Sequence, residues 1–199
     1  MNQPRVFLFF GRSGSGKGTQ AKLLATHLEK EFPSQQTLYV ETGALIRKFM
    51  ERHESNYASK LTKEVIDTGG LLPAFIPIWL WATYLTEHFS GKENLILDGL
   101  SRRLNEAPVL AGAFEFLGIE KPIVVYLNVS VDWATRRLLE RGRKDDQEKE
   151  IRRRLQWFDE SVMPVVEYFK AHEKVRFIEI NGEQSIEDVE KEIVQASLV

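Results

Sequence analysis

The chain has 199 residues, and its 27 basic against 29 acidic side chains leave a formal net charge of −2, so it lacks the basic surplus of a protein that coats nucleic acid or an anionic membrane. That length suits one domain with room for an insertion, and with 43% hydrophobic residues a chain of this size buries about 70% of its unfolded surface, which excludes disorder and collagen-like architecture. There is no cysteine, so disulfides, thiolate nucleophiles and sulfur-bound zinc are excluded, and a reducing compartment, by default the cytoplasm, is expected.

In chain order, the apolar run Val6 to Phe10 is too short for a signal sequence and leads into a glycine loop, so it reads as a first strand. A helical pattern from Lys17 to Phe32 follows, then a short strand at Leu38 to Val40. Helical periodicity returns over Ala44 to Arg52, Tyr57 to Thr68 and Ala74 to Phe89. The most apolar stretch, Leu71 to Leu85, is shorter than a bilayer span and is interrupted by Pro73 and Pro77, which predicts a buried helix and no membrane segment. Trp79 and Trp81 on it are expected in the core.

Strands at Leu95 to Leu97 and Ile123 to Leu127 alternate with helices at Glu106 to Leu117 and Val131 to Glu140. The charged connector Arg141 to Asp146 reads as a solvated loop, or as a segment that touches an anion. Asp145 to Ala171 is helical, with Pro164 expected to kink or divide it. A strand at Val175 to Ile180 and a helix at Ile186 to Ala196 close the chain, and no internal repeat is found. This alternation predicts a five-stranded parallel sheet, its strands buried on both faces under helices, with ligands at the strands' carboxyl ends.

The residues after the strands carry the chemistry. Gly11-Arg12-Ser13-Gly14-Ser15-Gly16-Lys17-Gly18-Thr19, set between strand and helix, is a P-loop: backbone N–H groups cradle phosphates and Lys17 reaches the terminal ones. The strict pattern has Ser or Thr directly after the lysine, whereas here Gly18 precedes Thr19. Asp98, at the end of the third strand, is placed either to hold magnesium, directly or through water, or to cap the next element. After the second strand, Thr42 and Arg47 bring a hydroxyl and a guanidinium to the same edge.

In order along the chain, Gly-Ser-Gly-Lys-Gly-Thr-Gln, Thr-Gly-x-Leu-x-Arg, Asp-Gly-x-x-Arg and Arg-Lys-Asp-Asp-Gln-Glu resemble the adenylate kinase family, whose own loop variant is the Gly16 to Thr19 form. The resemblance implies the P-loop NTPase fold and a three-part molecule: a core (1–41, 73–140 and 147–199), a helical nucleoside-monophosphate insertion (42–72) and a short lid (141–146). It implies transfer of the ATP γ-phosphoryl group to AMP with magnesium, without zinc, by a monomer. Gly14, Ser15, Gly16, Lys17, Gly18, Thr19, Arg137, Arg141 and Gln184 would bind ATP. Thr42, Arg47, Gly70, Leu71, Leu72, Gly99, Arg102, Glu106, Arg143 and Arg154 would surround the acceptor. Lys17, Arg102, Arg141, Arg143 and Arg154 would stabilise the transferring group, and Asp98 would serve magnesium through water. The spacing independently puts Arg137 and Arg141 on one helix face. Arg152 and Arg153 are expected on a solvated face.

Three positions depart from the family pattern: Ala44 for an aspartate, Ser101 for a proline and Glu106 for a base-reading glutamine. An ionised Glu106 only accepts hydrogen bonds, and two acceptors suit the paired N–H groups of guanine, which would favour GMP. Thr42 pulls toward AMP, because related uridylate and cytidylate kinases carry a smaller residue there. A GTPase-like switch would instead need a guanine-reading Asn-Lys-x-Asp segment, which the chain lacks; Asp67-Thr68-Gly69-Gly70 matches only a short switch-like pattern. His27, His53, His88 and His172 have no metal-ligand spacing.

Overall fold

A computed structural model describes residues 3–142 and 148–198. Strands β1 (Val6–Gly11), β2 (Thr37–Glu41), β3 (Asn94–Asp98), β4 (Ile123–Asn128) and β5 (Arg176–Asn181) form one parallel sheet in the order β2-β3-β1-β4-β5. The chain winds to one side of β1 for β2 and β3 and to the other for β4 and β5, which opens a crevice at the carboxyl ends beside β1. In register there, Glu41 lies beside Asp98 and Asp98 beside Phe9.

The side-chain period of two divides β1 between two cores. Val6, Leu8 and Phe10 join Trp81, Leu110, Val165 and Phe169 on one face, while Phe7 and Phe9 join Leu24, Leu28, Val189 and Ile193 on the other. The first face is covered by α4 (Phe75–His88), α5 (Ala107–Phe116) and α8 (Met163–Lys170), the second by α1 (Lys17–Glu31) and α9 (Ile186–Leu198). Burial on both faces holds for β1, β3 and most of β4. The edge strands differ: β2 alternates, and β5 fully buries only Ile180, because each has a neighbour on one side only.

Between β2 and β3 the chain forms α2 (Thr42–Arg52), α3 (Tyr57–Asp67) and α4, with Ile46, Leu72 and Ile76 making a small core of their own. Helix α2 starts at Thr42, two residues before its expected position, which sets Thr42 in its first turn. Pro77 lies in the first turn of α4, where its missing N–H has no intrahelical partner to lose, so it does not break the helix. The helix is buried on one side only. Trp81 is in the core, but Trp79 is half exposed, edge-on to Phe49 at 5.5 Å, and Phe75 is exposed. The uniform apolarity of this stretch conceals which side packs.

Helices α6 (Val131–Arg141) and α7 (Glu148–Trp157) pack together through Val129, Ala134, Leu138, Ile151 and Leu155. The stretch is divided just before Pro164, as expected: α7 passes through a π-helical turn at Phe158–Val162 into α8, whose first turn holds the proline. The wider turn accommodates the ring where an α-helical carbonyl would clash. The expected lid lies mostly outside the described residues. No helix among the described residues is long and apolar enough to cross a membrane.

Candidate active site

The glycine loop takes its shape from two left-handed glycines, Gly14 (φ 89°) and Gly16 (φ 86°). Ser15 N–H donates to Arg12 O at 3.0 Å, and α1 begins at Lys17 with no side-chain cap, leaving its dipole end facing the loop. A Cβ on Gly14 would fall 2.6 Å from Ala134 O, so α6 lies directly on the loop. That contact carries Arg137 toward it. Trp133, Arg137 and Gln184 line a narrow cleft with Ser15, Gly16 and Thr19, and Gln184 is fixed by donating to Asn181 O and to Glu192 Oε2, each at 2.8 Å.

Lys17 Nζ forms an ion pair with Asp98 Oδ1, and the Tyr39 hydroxyl donates to Asp98 Oδ2 at 2.9 Å. Burial alone would raise the Asp98 carboxyl; Lys17, the Tyr39 hydrogen bond and the Arg102 charge outweigh it and hold the group below its ordinary value. Asp98 is thus an ionised carboxylate at the end of β3. A Cβ on Gly18 would approach Asp98 Oδ2 to 3.3 Å, so the residue that displaces the usual hydroxyl sits against this carboxylate.

For magnesium the donor set fits an indirect role. Asp98 and the Thr19 hydroxyl are hard oxygen donors, but among the described residues no three His, Cys, Asp or Glu side chains converge, so phosphate oxygens and water would supply most of the coordination.

On the β2–β3 side, Thr42, Gly99, Ser101 and Glu106 are buried, and Arg47 is exposed and paired with Glu41 at 3.0 Å. Arg102 Nε donates to Gly99 O at 3.0 Å; Gly99 is left-handed (φ 71°), and a Cβ there would meet the Arg102 guanidinium at 3.0 Å. Ser101 also adopts a left-handed backbone (φ 59°), which proline, fixed near −65°, cannot. The departure from the family's proline is therefore a change of loop shape. Glu106 Oε2 accepts the Arg102 N–H at 3.2 Å, while Oε1 has no partner among the described residues, so one of the two oxygens in the paired-acceptor argument for guanine is shared with the backbone. Ser15 Oγ, Thr42 Oγ1, Ser101 Oγ and Glu106 Oε1 are buried with no hydrogen-bond partner among the described residues. Buried polar atoms are normally satisfied, so this concentration after β1, β2 and β3 marks a place built for a polar ligand.

Gly70, Leu71 and Leu72 form the turn between α3 and α4. Gly69 (φ 65°) ends α3 in a Schellman motif, with Gly69 N–H to Ile66 O and Gly70 N–H to Val65 O, which accounts for the switch-like pattern as a helix cap. Arg154 is on α7 with Nε 3.4 Å from Glu150 O; Arg143 lies outside the described residues.

Three arginines escaped the sequence reading. Arg12 donates to Val129 O at 3.0 Å and to Asp159 Oδ1 at 2.5 Å, tying the loop to the end of β4 and the π turn. Arg103 bonds the carbonyls of Leu71 and Leu72. Arg152 is solvated as expected and pairs with Glu148, but Arg153, though exposed, reaches Thr68 O. Long-range carbonyl partners leave no mark in sequence spacing.

A family model described as adenylate kinase matches residues 9–174. The chain is 35% identical to "Adenylate kinase 1" of Nostoc sp. over 94% of its own length and 95% of that protein's. It is 31% identical to an adenylate kinase of Corynebacterium urealyticum (92% and 93%) and 30% identical to a uridylate kinase of Saccharomyces cerevisiae (98% and 91%). With the parallel sheet, the glycine loop and these matches agreeing over most of its length, the chain belongs to the adenylate kinase family of nucleoside monophosphate phosphotransferases.

Proposed function

We propose that this chain transfers the γ-phosphoryl group of ATP to AMP, giving two ADP, in the cytoplasm and as a monomer. The observation that supports it best is the Lys17–Asp98 pair, which joins the start of α1 to the end of β3, with the glycine loop on one side and, on the other, the Thr42, Ser101 and Glu106 atoms that have no partner among the described residues. Residues 42–72 serve as the acceptor-binding insertion and 141–146 as the lid.

In this reading the N–H groups of Gly14 to Thr19 hold the ATP phosphates, and Lys17 leaves Asp98 to meet them. Arg137 and Gln184 border the ATP base, and Arg102, Arg141, Arg143 and Arg154 offset the charge of the transferring group. Magnesium, held through water by Asp98, would neutralise phosphate charge when bound with ATP. Thr42, Arg47, Gly70 to Leu72, Gly99, Arg102, Arg143, Arg154 and Glu106 receive AMP. Glu106 Oε1 would accept from the exocyclic amine of adenine.

The test is ADP release from ATP and magnesium with AMP, GMP, CMP and UMP in parallel, with Lys17→Ala as control. AMP is expected to be turned over fastest, and Lys17→Ala to lower kcat by about 100-fold or more. Fastest turnover of another monophosphate would keep the mechanism and change the acceptor, while no turnover of any would leave a nucleotide-binding protein.

A further inference from the structure

The turn between α3 and α4 is held by side chains from two other parts of the molecule. From the loop after β3, Arg103 donates through Nε to Leu72 O at 3.0 Å and through Nη2 to Leu71 O at 2.8 Å. From α7, Arg153 Nη1 donates to Thr68 O at 2.5 Å and Trp157 Nε1 to Gly69 O at 3.2 Å. Arg153 and Trp157 are four residues apart, on one face of the helix. Between these carbonyls, Gly70 is closed against Val65, whose Cγ1 and O would lie 3.0 Å from a Cβ. A cavity of about 330 Å³ opens beside the turn, lined by Gly70, Leu71, Arg103, Arg153, Gln156 and Trp157.

The small core of Ile46, Leu72 and Ile76 anchors this region separately from those four bonds. What they fix is the direction of the turn's backbone. A ligand read by backbone atoms needs that direction set in advance, because the cost of ordering the turn is otherwise taken from its binding free energy.

We propose that Arg103, Arg153 and Trp157 are positioning residues for the acceptor nucleotide, a latch that fixes the 68–72 turn and ties it to the helix bearing Arg154. This rests on the assignment of Gly70 to Leu72 to the acceptor side. The latch acts on the acceptor and leaves the ATP side alone.

The experiment compares Arg103→Met, Arg103→Lys and Trp157→Phe with the unsubstituted chain, reading KM for AMP, KM for ATP, kcat and amide hydrogen exchange over residues 68–72. Arg103→Met removes two charge-assisted bonds and is expected to raise KM for AMP about tenfold, with KM for ATP changed less than about twofold. Arg103→Lys recovers part of the loss by reaching one carbonyl. Trp157→Phe, which keeps the ring and loses the N–H, raises KM for AMP about threefold. Both Arg103→Met and Trp157→Phe speed exchange in the turn. An unchanged KM for AMP, or equal rises in both KM values, overturns the latch. If the unsubstituted chain turns over no monophosphate, the functional reading falls by itself, and the exchange measurement still decides: unchanged exchange in both variants removes the latch.

Discussion

Glu106 is 1% exposed, with one oxygen on the Arg102 N–H and the other without a partner among the described residues. Burial raises its carboxyl above the ordinary value, and the Arg102 and Arg103 N–H groups and charges only partly oppose this. A protonated carboxyl offers one donor and one acceptor, as a glutamine amide does, whereas the carboxylate only accepts. The sign follows by linkage: stability from the protonated form is complete below the ordinary carboxylate value and is lost as pH rises through the raised one. Glu106→Gln keeps the neutral pattern at every pH. In urea unfolding it should be the more stable protein above the raised value, by about 1 kcal/mol, with the gap closing on acidification. The ratio of wild-type to Glu106→Gln KM for AMP should rise over the same interval. A ratio independent of pH would remove Glu106 from base reading.

The same residue shows what sequence conveys at this scale. The meeting of Lys17 and Asp98 was legible because each follows the apolar run of a neighbouring strand. Glu106 was legible only as a departure from a pattern, because its bond to the Arg102 backbone depends on the left-handed turn at Ser101, and φ at a serine is not written in composition.

At the scale of elements, glycines separate packing from propensity. Gly14 combines a left-handed backbone with a contact on α6, so Gly14→Ala forces the loop and that helix apart and should cost about 2 kcal/mol or more. Gly112, exposed within α5, has nothing within 4 Å of an added Cβ, and Gly112→Ala should stabilise by about 0.5–1 kcal/mol. Urea denaturation of the two variants checks both signs, and a neutral Gly14→Ala would deny that α6 rests on the loop. The core strands, and the existence of α1 and α9 between and after them, follow from the apolar runs and helical periodicity. The edge exposure of β5, the half-exposed Trp79 and the π turn before Pro164 depend on which neighbours exist, so they appear only in three dimensions.

For the whole molecule, sheet order decides how the two proposed nucleotide sides are joined. The glycine loop follows β1, the proposed acceptor residues follow β2 and β3, and these strands are adjacent, so both sides lie along one sheet edge. Helix α7 links them a second time, packing on α6 through Ile151 and Leu155 and reaching the 68–72 turn through Arg153 and Trp157. On the proposed assignment, a ligand spanning both sides engages the core, α6 and the insertion together, while ATP alone engages the first two. Ligands that bind only the folded state stabilise it by RT ln(1 + [L]/Kd), about 2.7 kcal/mol at a hundredfold excess over Kd, and about 2–4 °C of Tm accompanies each kcal/mol in a chain of this size. Two adenosines joined through a phosphate chain should bind far more tightly than either nucleotide, because the second contact becomes intramolecular. At equal concentration that compound should raise Tm by at least 5 °C more than ATP does, about twice the energy of a tenfold affinity difference. Arg103→Met should shrink the difference while leaving the ATP shift in place. Equal shifts from ATP and the linked compound would mean that the two sides are not occupied at once, and that α7 joins them in structure but not in binding.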